Sequence, residues 1–142
     1  MAIVAAVDGS AGSTAVLDEA ATLANRFDEP LHAVFVYERS EHSHLAYQHL
    51  EEREPDSEVQ VEKIAHDVID EAAEPVTDEY EVVGRRGEPA EEILEYADQV
   101  DARYVVIGGR SRSPVGKALF GSVTQSVLLE ADRPVVAVME KQ

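Results

Sequence analysis

Gly108 and the pair Gly121-Ser122 bracket a loop whose residue types suit a phosphate. The run Tyr104–Val123 reads YVVIGGRSRSPVGKALFGSV. Tyr104–Ile107 is expected to be a buried strand ended by Gly108-Gly109, and Gly121-Ser122 opens a helix, with Ser122 and Gln125 at the spacing of a capping box. Arg110, Arg112 and Lys117 lie between. No Asp or Glu occurs from Gly108 to Leu129, in a chain with 29 acidic residues among 142. Glycines let backbone N–H groups approach phosphate oxygens. The N–H groups of Ser122 and Val123 would sit at the positive end of the helix, and Arg110 can clamp a phosphate through two nitrogens. A plain capped strand–helix connection has the same outline, but an acidic protein does not usually empty such a loop of carboxylates. The loop is therefore read as an anion site. It is not a P-loop: Ala118 stands where a Mg²⁺-holding Ser or Thr would follow Gly116-Lys117, so that kind of hydrolysis is not predicted.

Asp8 ends the first apolar run, ahead of Gly9-Ser10. A carboxylate there can accept from a ribose hydroxyl or from a metal-bound water. Asp-Gly-Ser is equally an ordinary turn, and the nearness of the phosphate loop tips the reading toward function. A receiver-type phospho-acceptor role fits poorly, because the third strand ends in Val83-Gly84-Arg85 without an acid. Arg85 and Arg86 read as a solvated pair, and Glu91-Glu92 as a solvated helix face. His42, His44 and His49 have a spacing that zinc can use, but no frame of elements supports them and they read as loop histidines. No Ser/His/Asp set has a spacing that supports nucleophilic catalysis. Neither catalytic residues nor protein metal ligands are assigned.

Strand and helix patterns alternate five times along the chain. Ala2–Val7 is a strand. Ser13 or Thr14 caps a helix to about Phe27 with an apolar stripe Val16, Ala20, Leu23, Phe27. Leu31–Tyr37 is the second strand. Residues 38–57 form a long polar loop, with room for a short helix at Leu45–Leu50. Val59 to Glu74 is helical and Pro75 stops it. Tyr80–Arg85 is the third strand, and Pro89 begins a helix that turns Ile93, Leu94 and Ala97 inward. Tyr104–Ile107 is the fourth strand, Ser122–Leu129 a helix and Pro134–Met139 the fifth strand. Alternation of this kind, with near-continuous runs such as IVAAV and YVVI, predicts one α/β domain over residues 1–142: a mostly parallel sheet covered on both faces. Ligands of such folds bind at the carboxyl ends of strands, where strand order reverses.

The net charge of −17 repels nucleic acid and anionic membranes, so neither is expected as a partner. Only 3 lysines, Lys63, Lys117 and Lys141, occur among the 12 basic residues. Such a surface suits very high salt, where a Debye length of ~3 Å at 1 M removes self-repulsion. The chain has no cysteine, no targeting segment and no apolar run of membrane-spanning length, which makes the cytoplasm the expected compartment.

With these residues in view, the chain resembles the universal stress protein family over nearly its whole length. AVDGSAGS, Ala6 to Ser13, looks like the family's first strand and turn, and Gly87-Glu88-Pro89 with Ile93 like its third-helix entry. The family's nucleotide signature, G-x2-G-x9-G-[ST], is matched by Gly108, Gly121 and Ser122, with Ser111 in place of the second glycine. The resemblance implies a doubly wound, Rossmann-like sheet in the order 3-2-1-4-5. It implies ATP across the crevice, with Mg²⁺ or Mn²⁺ held by phosphates and water. Ala6, Asp8 and Val36 would flank adenine and ribose, Val36 through its backbone. Ile107, Gly108, Arg110, Ser111, Gly121, Ser122 and Val123 would hold ribose and phosphates. It also implies a homodimer through Pro134–Met139, an apolar edge that needs cover. The expected function is an ATP-binding stress-response protein with little or no hydrolysis, acting on a protein partner yet to be identified. The alternative is an interaction module of the same family that binds no nucleotide, which Ser111 favours and the acid-free loop disfavours.

Overall fold

The computed structural model describes residues 1–38, 58–109 and 120–139. In chain order the elements are β1 (Ala2–Ala6), α1 (Ser13–Phe27), β2 (Leu31–Tyr37), α2 (Glu58–Ala73), β3 (Glu81–Arg86), α3 (Pro89–Gln99), β4 (Ala102–Gly108), α4 (Ser122–Glu130) and β5 (Val135–Val138). Each expected element within the described residues is present, with ends displaced by at most two residues. The expected loop at 38–57, its short helix and the three loop histidines lie outside the described residues, apart from Glu38.

The five strands are parallel and ordered β3-β2-β1-β4-β5. Period-two alternation sends Ile3, Ala5, Leu31, Ala33, Phe35 and Val106 into one core with Val16, Leu17 and Ala20 of α1 and Ala65 and Ile69 of α2. The intervening residues Val4, Val34, Val36, Val105 and Ile107 face Ala90, Ile93 and Ala97 of α3 and Val127 of α4. Both faces are covered, which is why the central strands carry no polar residue in their middles. Among the described residues Phe35 is the largest fully buried side chain, so Phe35→Ala would cost about 3–5 kcal/mol.

Four local expectations are corrected. The N-cap of α1 is Gly12, without a side-chain cap; Ser13 is buried and turns back toward Asp8, and the Thr14 hydroxyl donates to the Ala72 carbonyl at 2.9 Å. The buried stripe of α1 is Val16, Leu17, Ala20 and Ala24, while Phe27 is 40% exposed and carries the Arg103 guanidinium over its ring at 4.6 Å. Arg85 is half-buried, donating to Gln99 Oε1 at 2.6 Å with its guanidinium 5.2 Å over the Tyr96 ring, so it belongs to the packing of α3 on β3. Glu92 is half-buried, and its carboxyl is pushed above the usual range by burial first and by Glu95 next.

Pro89 stands at the first turn of α3 as expected. Glu88 is the N-cap, its two carboxylate oxygens accepting from the Ala90 and Glu91 N–H groups. The N-terminal ends of the strands are tied by Glu29, which accepts from Arg103 Nη2 at 3.0 Å and lies 3.5 Å from the Met1 amine.

Candidate functional site at the carboxyl ends of β1 and β4

The chain leaves β1 toward β2 and leaves β4 toward β5, in opposite directions along the sheet. The strand order therefore reverses between β1 and β4, and a crevice opens at their carboxyl ends. Ala5 pairs with Val106, so Asp8 and Gly109, each three residues further on, emerge side by side.

Asp8 is exposed at the mouth of this crevice. Its Oδ1 accepts from the Ser10 N–H at 2.9 Å and from the Ser13 hydroxyl at 3.2 Å, and that hydroxyl in turn accepts from the Gly9 N–H at 3.2 Å. Gly9 holds φ 82°, a left-handed conformation that suits glycine. One carboxylate oxygen, Oδ1, thus builds the turn. Ser13 is the part of this arrangement that sequence reasoning missed, having been taken as a cap.

On the other side, β4 ends at Gly108, whose carbonyl accepts from the buried Thr124 hydroxyl at 2.7 Å. That bond seats the first turn of α4 on the end of β4. Thr124 was also missed, being one of three hydroxyl residues, with Ser122 and Ser126, in the first turns of α4. The N-cap of α4 is Gly121, with φ −70° and ψ 166°, and no side chain caps it. The expected capping box between Ser122 and Gln125 is therefore not made: Ser122 is the first helical residue and is exposed, and the Gln125 N–H goes to the Gly121 carbonyl at 3.0 Å. The N–H groups of Ser122, Val123 and Thr124 have no acceptor within the helix, and its first turn holds no acid. An uncapped, acid-free helix start attracts an anion through its partial positive charge and its open donors.

The residues between these two polar edges belong to the core, Val36 and Ile107 buried and Ala6 and Val123 half-buried. Ala6, Val36, Ile107 and Val123 join one cluster with Val4, Val105 and Val127. Val36 lies two residues beyond Val34, the last partner of β1 on β2. Gly108 has ordinary room for a side chain, its nearest neighbour in the place of a Cβ being Val16 Cγ2 at 3.5 Å. Gly109, which sequence reasoning left out of the site, is covered by the Met139 thioether, and Phe120 Cε1 is 3.4 Å from the place of a Cβ.

The structure thus brings together Ala6, Asp8, Val36, Ile107, Gly108, Gly121, Ser122 and Val123. Arg110 and Ser111, with Arg112 and Lys117, lie outside the described residues, so the cationic part of the loop stands on the sequence. Among the described residues no group of three or more His, Asp or Glu is placed to hold a metal ion, and no helix is long and apolar enough to cross a membrane. The open N–H groups and the hydroxyl at the start of α4 are donors suited to an anion.

Comparison with known proteins agrees with this architecture. A universal stress protein of Archaeoglobus fulgidus is 30% identical, with a TM-score of 0.63 over 96% of this chain and 97% of that one. The universal stress protein from the same organism in complex with dAMP is 26% identical, with a TM-score of 0.58 over 96% of each chain. A universal stress protein of Mycolicibacterium smegmatis is 56% identical over 48 residues, 34% of this chain; the match spans only 37% of that relative's length. The sequence matches the family model described as the universal stress protein family over residues 1–139, and the chain belongs to that family.

Proposed function

We propose that this chain binds ATP in the crevice between β1 and β4, with Mg²⁺ or Mn²⁺ held by the phosphates and water, and that the nucleotide regulates a stress-response interaction. The observation that carries this reading is the uncapped, acid-free start of α4, tied by Thr124 to Gly108 at the end of β4, the strand paired with β1. The phosphates would meet the Ser122 and Val123 N–H groups and the Ser122 hydroxyl, with Arg110 and Ser111 supplied by the loop. Asp8 would accept from the ribose, and Ala6, Val36 and Ile107 would lie against the adenine. The dAMP complex of the 26% identical Archaeoglobus relative supports a nucleotide of this class.

In this reading the protein acts as a nucleotide-dependent switch with little or no hydrolysis. It works as a homodimer joined through Pro134–Met139, in a cytoplasm of high salt. Calorimetry with ATP and Mg²⁺ in multimolar KCl tests the reading beside a Gly121→Trp variant, whose indole would cover the start of α4. Micromolar binding that the variant loses is expected. A folded protein that binds no ATP in that salt overturns the reading and leaves the interaction module, which Ser111 in the signature favours.

A further inference from the structure

His32 is bonded on both of its ring nitrogens. It is the second residue of β2, at the end of the sheet away from the crevice, and its side chain is 12% exposed. Glu81, the first residue of β3, is its register partner, and Glu81 Oε2 stands 2.9 Å from His32 Nε2. From α3 the Tyr96 hydroxyl stands 2.5 Å from His32 Nδ1. One imidazole therefore joins β2, β3 and the second half of α3.

The proton positions follow from what each partner can do. A carboxylate only accepts, so Nε2 carries the hydrogen that Glu81 takes. Nδ1 of a neutral ring is then a bare acceptor, and the Tyr96 O–H donates to it. Burial first, and Glu81 next, push the Tyr96 phenol above its usual range, which keeps that proton in place. A charged ring carries N–H on both sides. Its bond to Glu81 becomes charge-assisted and stronger. At Nδ1 the tyrosine reverses its role: the oxygen accepts, and the hydroxyl hydrogen turns out of the pair. Both bonds survive the change of charge.

The surrounding groups decide which form the fold favours. Glu81 and Arg85 face the pair from β3 and Tyr96 from α3, while β1 offers its register partner Val4. Arg85 opposes a second positive charge. It is already engaged, donating to Gln99 Oε1 at 2.6 Å, lying 5.2 Å over the Tyr96 ring and attracting Glu92 of α3. Glu81 and Glu92 against one guanidinium leave the group one positive charge short of neutral, and a proton on His32 supplies it.

We propose that His32 is a pH-sensitive clamp that holds α3 on the sheet more tightly in mild acid than at neutral pH. Histidine is the side chain whose charge ordinarily changes between about pH 5 and 8. A fold that favours the protonated ring gains stability as pH falls through that range and loses it as pH rises. The clamp does not depend on the nucleotide reading. It lies at the other end of the strands from the crevice, and β3 is the opposite edge of the sheet from β5.

The full chain, isotope-labelled at histidine and tyrosine, is followed by NMR from about pH 8 to 5 in about 1 M KCl. The His32 ring and the hydroxyl-bearing carbon of Tyr96 should shift together, because charging the one reverses the bond of the other. Thermal denaturation covers the same range beside His32→Gln, which keeps a donor and an acceptor but never a charge, and Glu81→Gln, which removes the charged partner. Comparison with His32→Gln cancels the relief that acid gives to the rest of the acidic surface. The parent protein should gain several degrees over His32→Gln as pH falls, and Glu81→Gln should lose most of that gain. Exchange protection of the amides around Tyr96 should rise with it. A gap that stays constant or shrinks toward acid overturns the proposal, as does a Tyr96 carbon that stays still while the His32 ring shifts. If His32→Gln does not fold, the parent and Glu81→Gln decide between them, and an equal rise in both overturns it.

Discussion

Asp8 spends one of its two carboxylate oxygens on the turn that follows β1. Oδ1 closes the turn with Ser10 and Ser13, and only Oδ2 is left for a ligand. Replacing the carboxylate and replacing its partner should therefore separate binding from stability. In Asp8→Asn an amide still fills the turn, but the charged acceptor is gone. A hydrogen bond to a charged group contributes about 1.5–3 kcal/mol, so ATP affinity should fall at least about tenfold with little change in melting temperature. Ser13→Ala removes a buried hydroxyl that makes two bonds. It should destabilise the fold by about 1 kcal/mol and weaken ATP binding less than Asp8→Asn does. Calorimetry and thermal denaturation of the two variants check this, and a larger binding loss in Ser13→Ala would remove Asp8 from the site. Asp8 was legible in the sequence because Asp-Gly-Ser after an apolar run places a carboxylate at a strand end. Ser13 was not, because a serine ahead of a helix has the same local signal whether it caps the helix or turns back. The decision is made by Asp8, five residues away.

At the scale of elements, the strands and the proline-led start of α3 were legible, and the caps of α1 and α4 were not. A strand buried on both faces has no choice but a continuous apolar run, so IVAAV and YVVI announced themselves. A cap depends on one rotamer. Gly12 and Gly121 took the N-cap positions from Ser13 and Ser122, and at α4 this leaves the donors open that make it a candidate site. The stripe of α1 was read one turn too far, because Phe27 is stacked under Arg103 at the sheet's lower edge and not in the core. The junction of α2 with β3 carries a pH dependence that could not be read from spacing. The Tyr80 hydroxyl donates to Asp70 Oδ1 at 2.6 Å, and His66 lies against the other Asp70 oxygen at 3.4 Å. Burial first, and then Asp70, push the Tyr80 phenol from 10.0 up to about 12. A raised pKa means that the folded state holds the proton more tightly than the unfolded chain. The stabilisation is then complete below about pH 10 and is lost as pH climbs through about 12. The bond is partly open to solvent, so its contribution is about 1 kcal/mol. Tyr80→Phe should melt a few degrees below the parent protein near neutral pH, and the gap should close between about pH 10 and 12. A gap that stays constant across that range would assign the loss to packing and not to the bond.

At the scale of the whole molecule, charge sets the conditions under which any of these sites exists. The chain carries 29 acidic against 12 basic residues, a net −17. Several of the few cations are already engaged: Arg103 pairs with Glu29, and Arg133 reaches Asp98 at 2.6 Å, with Asp101 and Asp132 nearby. These pairs hold local geometry but leave most carboxylates facing one another across water. Salt acts on the two terms in opposite directions. Screening weakens each exposed ion pair, which contributes at most about 1 kcal/mol. The same screening relieves repulsion among all the unpaired acids, a sum over the surface that opposes the compact state. With so few pairs and so large an excess, the second effect should win. The Debye length falls from about 8 Å at 0.15 M to about 3 Å at 1 M, so most of the gain should arrive by about 1 M, with ion exclusion adding little until higher concentrations. Melting temperature measured through a KCl series should therefore rise steeply and then flatten. The Arg133→Gln variant, which deepens the excess by one charge and breaks the Asp98 bond, should start lower and gain more from salt. Stability that is flat or falling with KCl would mean that the acidic surface is merely solvated, and that the crevice should be assayed in dilute buffer.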